Sequence, residues 1–244
     1  MKIILTADLS IKNELNKIAI QKKIEVEERI ALDIQNIDLD QNIYKSYIKN
    51  ANKIIFQSKN AVKYASILHD FLLDNKTAKM YCLGKFTGNE IQKYYANKVI
   101  YPKDNYSSES LMKIIKNEKR LNDKYLIIKG EDGRNYLENE IRKFSNRIKV
   151  ISVYKRVPVK HFLDPSSINK KANNYLIVSS KAALIELIAN ISSCKNIAPL
   201  ILIIPNERII NDVDTGIFKD IIIICNSNNA ETYISTIERH NEQN

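Results

Sequence analysis

The chain contains few of the residues that build disulfide frameworks or zinc sites. Only three of its 244 residues are cysteines: Cys82, Cys194 and Cys225. They are odd in number and far apart, and no pair has C-x-x-C spacing. Neither a disulfide framework nor a zinc site is indicated, and we predict that the three thiols are buried as small apolar side chains.

Long apolar runs are missing as well. Asp8 and Glu14 interrupt the first apolar segment too early for the apolar region of a signal peptide. No later stretch approaches the ~18 uncharged apolar residues that cross a membrane. We therefore expect a cytoplasmic protein without a membrane partner.

The chain also lacks the motifs of several common catalytic sites. Its three histidines, His69, His161 and His240, are far apart and form no visible cluster. No Ser-His-Asp set, H-E-x-x-H motif or G-K-[ST] phosphate loop is present. The sequence therefore carries no cofactor signature.

The net charge is strongly positive. Lysine and arginine number 38 against 28 acidic residues, which gives +10 and a pI of about 9.3. Such a charge suits a nucleic acid or a small polyanion. The cations are interleaved with acids, as at Glu118 within the dense run 116–120, and this favours a solvated surface over a nucleic-acid face.

Two segments of the chain repeat each other. Residues 53–63 and 175–185 each contain an apolar run, then Ser-Lys-x-Ala, then apolar residues at helical spacing. Each resembles the strand-to-helix step of a parallel βαβ unit. Two copies predict an α/β protein with two similar doubly wound parallel-sheet lobes.

One lobe is predicted to be discontinuous, with the other lobe inserted into it. Residues 41–148 hold a full set of alternating strands and helices, including a predicted capping box at Thr87-Gly88-Asn89-Glu90. Residues 1–32 and 161–244 complete the other lobe. The connectors 33–40 and 149–160 must then run antiparallel and could pair as a two-strand hinge that permits closure over a ligand.

Residues 125–158 are the most informative stretch, YLIIKGEDGRNYLENEIRKFSNRIKVISVYKRVP. A buried strand is followed by a turn with Gly130 and Gly133, a helix, and a second strand that ends in Val-Tyr-Lys-Arg. Glycine at such a turn permits close backbone approach or a positive φ, and it leaves main-chain N–H groups exposed.

This order of motifs resembles the uroporphyrinogen-III synthase family. The closest segments are KGEDGRNYL and VYKR, which resemble the family's glycine-Arg turn and Val-Tyr-x-Arg strand. IIFQSKNAV resembles its strand and Ser-x-Asn turn, and CLGKFTGNE resembles its Gly-x-x-Thr turn. The residues on the matching positions are Ser58, Asn60, Gly84, Thr87, Gly130, Gly133, Arg134 and Tyr154.

The chain departs from the family pattern at two places. Thr6-Ala7 stands where the family usually has Thr-Arg, so an arginine ligand is absent there. The late turn reads Ile204-Pro205-Asn206-Glu207 instead of Gly-Pro-x-Thr, which replaces a hydroxyl with a carboxylate.

The resemblance implies a cofactor-free, cyclising hydro-lyase of haem biosynthesis. Its substrate, hydroxymethylbilane, is a linear tetrapyrrole polycarboxylate that loses water and closes to uroporphyrinogen III with the last pyrrole ring inverted. We expect a monomer that binds this small molecule and no nucleic acid. One alternative is a diverged, non-catalytic polyanion-binding protein of the same fold, and the other is a nucleic-acid-binding module supported by net charge alone.

The predicted substrate-binding turns all follow strand C-termini, where doubly wound sheets bind ligands, and they could line a cleft between the lobes. Ordinary helix capping is an equal alternative for Ser58, Thr87 and Ser180, and solvation is the alternative for Lys59 and Lys181. The substrate-binding residues are Ser58, Lys59, Asn60, Thr87, Gly88, Gly130, Gly133, Arg134, Ser179, Ser180 and Lys181.

Tyr154 is the predicted catalytic residue. Its phenol could donate a hydrogen bond to the departing hydroxyl and so assist formation of the azafulvene cation. The alternative is a packed tyrosine without a chemical role, since the chain has 13 tyrosines.

Overall fold

The computed structural model describes residues 1–6, 11–164, 168, 171–192, 199–224 and 229–243. The chain divides into two compact units. The first unit contains Met1–Asp33 and Val157–Asn244, and the second unit contains Ile34–Arg156. None of the described helices is long and apolar enough to cross a membrane.

Strands and helices alternate along most of the described chain. The strands are β1 (Lys2–Leu5), β2 (Glu25–Glu28), β3 (Leu32–Asn36), β4 (Lys53–Phe56), β5 (Lys79–Cys82), β6 (Val99–Ile100), β7 (Tyr125–Gly130), β8 (Ile148–Pro158), β9 (Asn174–Ile177), β10 (Leu200–Ile204) and β11 (Asp220–Ile223). The helices are α1 (Lys12–Gln21), α2 (Gln41–Asn50), α3 (Lys59–Tyr64), α4 (His69–Asp74), α5 (Lys85–Gln92), α6 (Ser108–Asn117), α7 (Tyr136–Arg142), α8 (Lys181–Ile191) and α9 (Ala230–Gln243), with 3₁₀ turns at Ala65–Leu68 and Glu207–Ile209.

Each unit is built around one sheet. The first sheet has the order β11-β10-β9-β1-β2, and all of its neighbouring strands are parallel. The second has the order β3-β8-β7-β4-β5-β6 and is parallel from β8 to β6. The bonds from Ile37 N to Val153 O (3.2 Å) and from Val159 N to Ala31 O (3.0 Å) show that the segments around β3 and β8 run antiparallel. The predicted fold class is confirmed.

The two sheets are topologically equivalent. In the second unit, the parallel strands β4, β5, β6, β7 and β8 are numbered 1 to 5. In the first unit, β9, β10, β11, β1 and β2 are numbered 1 to 5. With this numbering both sheets have the spatial order 3-2-1-4-5. The strands β4 and β9 are the centres of the two sheets and belong to the two repeated sequence segments. In such folds ligands bind beyond the carboxyl ends of the strands where the order reverses, which here is between β4 and β7 and between β9 and β1.

Helices cover both faces of the second sheet. The side chains of α2 to α5 pack on one face with Phe56 and Ile128, while α6 and α7 pack on the other with Ile55 and Ile127. The central strands are therefore buried on both faces, which explains their uninterrupted apolar runs. This packing fixes the carboxyl ends of β4 and β7, from which the candidate site is built.

Candidate functional site

Three predicted site residues meet at the carboxyl ends of β4 and β7, next to the part of β8 that pairs with the end of β7. Ser58 follows β4, Gly130 ends β7, and Tyr154 lies in β8. The Ser58 hydroxyl and the Tyr154 phenol are 3.1 Å apart. Arg156 donates a hydrogen bond of 3.4 Å from Nη2 to the same phenol oxygen and lies 5.5 Å from the ring centre. We call Ser58, Gly130, Tyr154 and Arg156 the tyrosine cluster.

Ser58 performs two roles in this arrangement. Its backbone is extended, with φ −160° and ψ 165°, and its Oγ accepts a hydrogen bond of 3.0 Å from Ala61 N at the start of α3. The residue is therefore an N-cap, as the capping interpretation requires. The same oxygen lies beside the Tyr154 phenol, so capping holds the Ser58 hydroxyl in a fixed position toward the tyrosine.

Gly130 provides the space that the Tyr154 ring occupies. A Cβ atom at Gly130 would lie 2.5 Å from Tyr154 Cζ and 2.8 Å from its hydroxyl oxygen. A bulge at Lys129/Gly130 brings the glycine opposite Tyr154. None of the described glycines has a positive φ. Close approach of the ring, and not an unusual backbone angle, is thus the reason for glycine at this position.

Tyr154 is nearly enclosed, with an exposed fraction of 3%. Its ring packs against Tyr64 at 5.6 Å between centroids, and its carbonyl oxygen accepts a hydrogen bond of 2.8 Å from Glu131 N. The tyrosine is consequently both a core residue and the centre of a polar cluster. These contacts hold the phenol oxygen in one orientation.

Hydrogen bonds within the turn and from Lys129 and Gln57 hold the turn at residues 130–135 in place. Gly133 N bonds to Gly130 O at 2.9 Å, and Lys129 Nζ bonds to Gly133 O at 2.9 Å. Gln57 Nε2 donates to Arg134 O at 3.2 Å, and a Cβ at Gly133 would lie 3.0 Å from Gln57 Oε1. The same Cβ would lie 2.9 Å from the backbone oxygen of Gly130, so glycine at position 133 permits the tight turn as well as the approach of Gln57.

The remaining polar residues of these turns face solvent to a larger extent. Arg134 is exposed, forms an ion pair of 2.9 Å with Glu109, and lies 5.7 Å from the ring centre of Tyr136. Lys59 is exposed and Asn60 is half-buried at the start of α3. None of these three predicted residues belongs to the tyrosine cluster.

The prediction of a capping box at Thr87 is wrong. Helix α5 begins at Lys85 with Gly84 as its N-cap, so Thr87 lies inside the first turns and is only 8% exposed. Glu90 is buried and pairs with Lys93 at 2.9 Å instead of reaching back to a cap. The extended Gly84, with φ −175°, lets the helix start directly after β5.

Gly88 serves packing between α5 and β6. A Cβ at this position would lie 2.8 Å from a ring carbon of Tyr101 and 3.6 Å from Cys82 Sγ. Burial raises the pKa of the Cys82 thiol to about 11, so Cys82 remains protonated and unreactive near neutral pH. The predicted burial is confirmed for Cys82, while Cys194 and Cys225 lie outside the described residues.

The first unit contains the other predicted turn. Ser180 is the N-cap of α8, and its hydroxyl accepts a hydrogen bond of 3.2 Å from Ala183 N. Ser179 is exposed, and Lys181 lies 3.5 Å from Asp212. The two departures from the family pattern are also in this unit. Thr6 is buried and donates to Ile177 O at 3.0 Å, whereas Ala7 lies outside the described residues.

Asn206 and Glu207 replace the usual late turn of the family. Asn206 caps the short 3₁₀ turn Glu207–Ile209, and its side-chain oxygen accepts a hydrogen bond of 3.1 Å from Arg208 N. The turn is thus locally satisfied without the hydroxyl of the family pattern. Glu207 is the acidic residue in the first turn of this 3₁₀ segment.

The lining of a cavity of about 250 Å³ in the first unit contains no residue of these turns. The lining residues are Val159, Lys160, His161, Glu186, Ala189 and Asn190. Within the described ranges, no group of three or more His, Cys, Asp or Glu residues could hold a metal ion.

Sequence reasoning missed three residues of the second unit's site: Gln57, Lys129 and Arg156. Arg156 could have been found because it lies two residues after Tyr154 in a strand and so faces the same side. Lys129 is a cation at the end of an otherwise apolar buried strand, which is an unusual position. Gln57 carries no signal in the sequence alone.

Comparison with known proteins identifies the family. The family model described as "Uroporphyrinogen-III synthase HemD" matches residues 21–201. No curated protein matches the sequence. A uroporphyrinogen-III synthetase structure from Helicobacter pylori 26695 is similar with a TM-score of 0.65 at 14% identity, over 98% of this chain and 99% of that one.

A second solved structure agrees with this result. A mutant uroporphyrinogen III synthase from the extremely thermophilic bacterium Thermus thermophilus is similar with a TM-score of 0.57 at 9% identity, over 100% of both chains. At these identities the structures support the two-lobed α/β fold alone, whereas the family model covers well over half of the sequence. The chain therefore belongs to the uroporphyrinogen-III synthase family.

Proposed function

We propose that this protein is a uroporphyrinogen-III synthase, which closes hydroxymethylbilane to uroporphyrinogen III with loss of water and inversion of the last pyrrole ring. The observation that best supports this activity is the tyrosine cluster, in which Ser58 and Arg156 hold the Tyr154 phenol above Gly130. The cluster lies at the carboxyl ends of β4 and β7, where folds with this strand order bind ligands.

The hydrogen bonds around Tyr154 favour a donor role for its phenol. Arg156 donates an N–H to the phenol oxygen, and Ser58 Oγ already accepts one N–H from Ala61. The phenol proton is then free to point to Ser58 or to a substrate oxygen in its place. In the proposed reaction this proton passes to the departing hydroxyl, which leaves as water when the carbon–oxygen bond breaks and leaves the Tyr154 oxygen as a phenolate.

The nearby guanidinium fits the same step. The leaving oxygen takes the electron pair of the breaking carbon–oxygen bond, and the Tyr154 oxygen becomes negative as it gives its proton to that leaving oxygen. Arg156, 3.4 Å from the phenol oxygen, stabilises that change. The remaining positive charge on the tetrapyrrole is delocalised over the pyrrole ring that carried the hydroxymethyl group. The last ring forms a bond to the cationic carbon through its own substituted carbon. The older bond at that substituted carbon then breaks and is replaced by a bond at the ring's unsubstituted carbon, whose proton is released and restores the Tyr154 phenol.

Most of the proposed catalysis is orientation. The linear substrate closes without help to the isomer with no inverted ring, so the protein must favour one bent shape over another. Main-chain N–H groups at the turns after β4 and β7 bind carboxylates without a fixed charge for each. Such binding holds the substrate in shape through several weak contacts.

A non-catalytic polyanion-binding protein of the same fold is the second candidate. Its specific support is the late turn of the first unit, where Glu207 brings a carboxylate in place of the family's hydroxyl. An acidic side chain at that turn repels a polycarboxylate substrate. The two candidates differ in whether a product is formed.

The test is to supply freshly made hydroxymethylbilane to the purified protein, without added metal or nucleotide, and to separate the two cyclic isomers. We expect the inverted-ring isomer to predominate and its rate of formation to rise in proportion to protein concentration. Formation of the other isomer alone, at the rate found in buffer, would refute the catalytic proposal and favour the binder.

Single exposed cations should contribute little to substrate binding. Lys59 is exposed, and Lys181 forms an ion pair with Asp212 at 3.5 Å. We expect Lys59→Ala or Lys181→Ala to weaken binding by no more than about 1 kcal/mol, as for exposed ion pairs. Dissociation constants for uroporphyrinogen III, measured at two salt concentrations, check this. Loss of binding in either variant would show that fixed surface charge, and not main-chain donors, holds the ligand.

A further inference from the structure

Every parallel strand of the second sheet begins at a cation. A lysine or arginine is the first residue of the strand or directly precedes it: Lys53 for β4, Lys79 for β5, Lys98 for β6, Lys124 for β7 and Arg147 for β8. Parallel strands all start at the same edge of a sheet, and the bond of 2.8 Å from Tyr125 N to Arg147 O joins two of these starts directly. Cations that are interleaved with acids in the sequence are therefore gathered at one edge of the second sheet, opposite the tyrosine cluster.

Five cations at this edge are not neutralised. Lys53 pairs with the buried Asp123 at 3.0 Å, and Lys79 pairs with Glu118 at 2.8 Å. The other three strand-start cations, and two that follow α6, form no ion pair within the part of the chain that the structure describes. Four of these five side chains are exposed, and that of Lys124 is half-buried. We call the five together the basic edge: Lys98, Lys119, Arg120, Lys124 and Arg147.

An exposed leucine lies within the basic edge. Leu121 is 97% exposed, more than any other large apolar residue that the structure describes. It belongs to a turn in which Arg120 N donates to Asp123 Oδ2 at 2.8 Å and Asp123 N donates to Arg120 O at 3.2 Å. Asp123 is buried and ion-paired, which attaches the turn to the start of β4, and Arg147 Nη1 donates to Asn122 Oδ1 at 3.3 Å. The turn therefore holds Leu121 in solvent among the cations.

An aliphatic side chain surrounded by cations matches the surface of an anionic lipid bilayer. The headgroups carry negative charge that attracts lysine and arginine, and an apolar side chain can enter the boundary between headgroups and acyl chains. A nucleic acid fits this edge less well. Single-stranded bases stack on exposed aromatic rings, whereas the aromatic residues of β5 and β7, Tyr81 and Tyr125, are buried. Duplex phosphates need cations alone and leave Leu121 without a role.

We propose that the basic edge and Leu121 bind an anionic membrane surface. The expected absence of a membrane partner rested on the lack of a spanning run, which a surface contact does not require. The basic edge lies at the amino ends of the strands, so binding there leaves the carboxyl ends of β4 and β7 free for a ligand. The membrane contact is independent of the proposed synthase activity.

Co-sedimentation of the full chain with vesicles tests the proposal. We expect binding to vesicles of phosphatidylcholine mixed with phosphatidylglycerol, weaker binding as sodium chloride is raised, and no binding to phosphatidylcholine alone. The double variant Lys119→Gln/Arg120→Gln should weaken binding about 25-fold, since each cation near an anionic surface contributes about 5-fold. Leu121→Gln keeps the charge and should weaken binding about 10-fold.

Two controls in the first unit match these changes. Lys17→Gln/Arg239→Gln removes one exposed lysine and one exposed arginine, and so lowers the net charge by the same amount. Ile20→Gln replaces an apolar residue that is 76% exposed. Both should bind vesicles close to the wild-type affinity. Circular dichroism checks that each variant folds.

Three outcomes would overturn the proposal. The first is absence of binding to the anionic vesicles at low salt. The second is equal weakening by the two double variants, which would assign the effect to net charge and not to the basic edge. The third is wild-type vesicle binding by Leu121→Gln. In that case, loss of affinity for a DNA duplex in Lys119→Gln/Arg120→Gln would identify the edge as a nucleic-acid surface instead.

Discussion

Gly130→Val is expected to lower turnover by about 100-fold or more, because a displacement of the reacting groups by about 1 Å can have this effect. The added Cβ would lie 2.5 Å from Tyr154 Cζ and 2.6 Å from Cε2. Tyr154 is packed in the core and cannot rotate away without leaving a void. Overpacking of this kind also destabilises the fold by about 1–3 kcal/mol. Steady-state kinetics and thermal unfolding measure the two effects.

Gly216→Ala is the matched control. Gly216 lies in an exposed turn of the first unit, where the one described atom that a Cβ would meet is Asp214 Oδ1, at 3.3 Å. We expect wild-type turnover and an unfolding temperature close to that of the wild type. Normal turnover in Gly130→Val would contradict the role of close packing between Gly130 and Tyr154.

A double variant separates stability from catalysis. Adding Tyr154→Ala to Gly130→Val removes the ring with which the valine collides, so part of the lost stability should return. Turnover should remain low because the phenol is gone. Because the two residues are in contact, the effects of the two substitutions on stability should be strongly non-additive, while activity should not recover. Additive losses of stability would show that the valine acts elsewhere.

Tyr154→Phe is expected to slow turnover about 10- to 100-fold while the fold is retained. A positioned donor to a developing charge can contribute about 100- to 1000-fold, but the hydroxyl of this substrate also departs without help. The phenylalanine keeps the ring that packs against Tyr64 and loses only the oxygen. The inverted-ring isomer should still predominate because orientation of the substrate is unaffected. Turnover at saturating substrate measures the effect.

Tyr47→Phe controls for the loss of a tyrosine hydroxyl. The Tyr47 hydroxyl also makes one hydrogen bond in the second unit, to Tyr125 O at 3.2 Å, away from the tyrosine cluster. Turnover in this variant should match the wild type. If Tyr154→Phe behaves as Tyr47→Phe does, Tyr154 is a packing residue and the proposed donor role is wrong.

The fold could be predicted because the sheet strands carry strong local signals. The run Leu200–Ile204 is entirely apolar and is the strand β10. The two repeated segments contain β4 and β9, which occupy equivalent central positions in the two sheets. Strands that are buried on both faces of a parallel sheet carry runs of apolar residues, so their sequence alone identifies them.

The candidate site was less predictable because its contacts join strands that are far apart in the chain. Ser58 and Tyr154 are 96 residues apart, and only the family resemblance connected them. The contacts of Gln57 and Lys129 with the glycine turn depend on side-chain reach, which a linear pattern does not contain. Thr87 was misassigned because its motif fits a capping box, whereas the chain turns earlier, at Gly84.

The most direct measurement is the isomer composition formed from hydroxymethylbilane by the wild type, Gly216→Ala and Gly130→Val at equal protein concentrations. We expect predominantly uroporphyrinogen III from the wild type and Gly216→Ala, and from Gly130→Val a mixture dominated by the non-inverted isomer that forms in buffer. Non-inverted isomer alone from all three proteins would contradict the assignment of synthase activity to this chain.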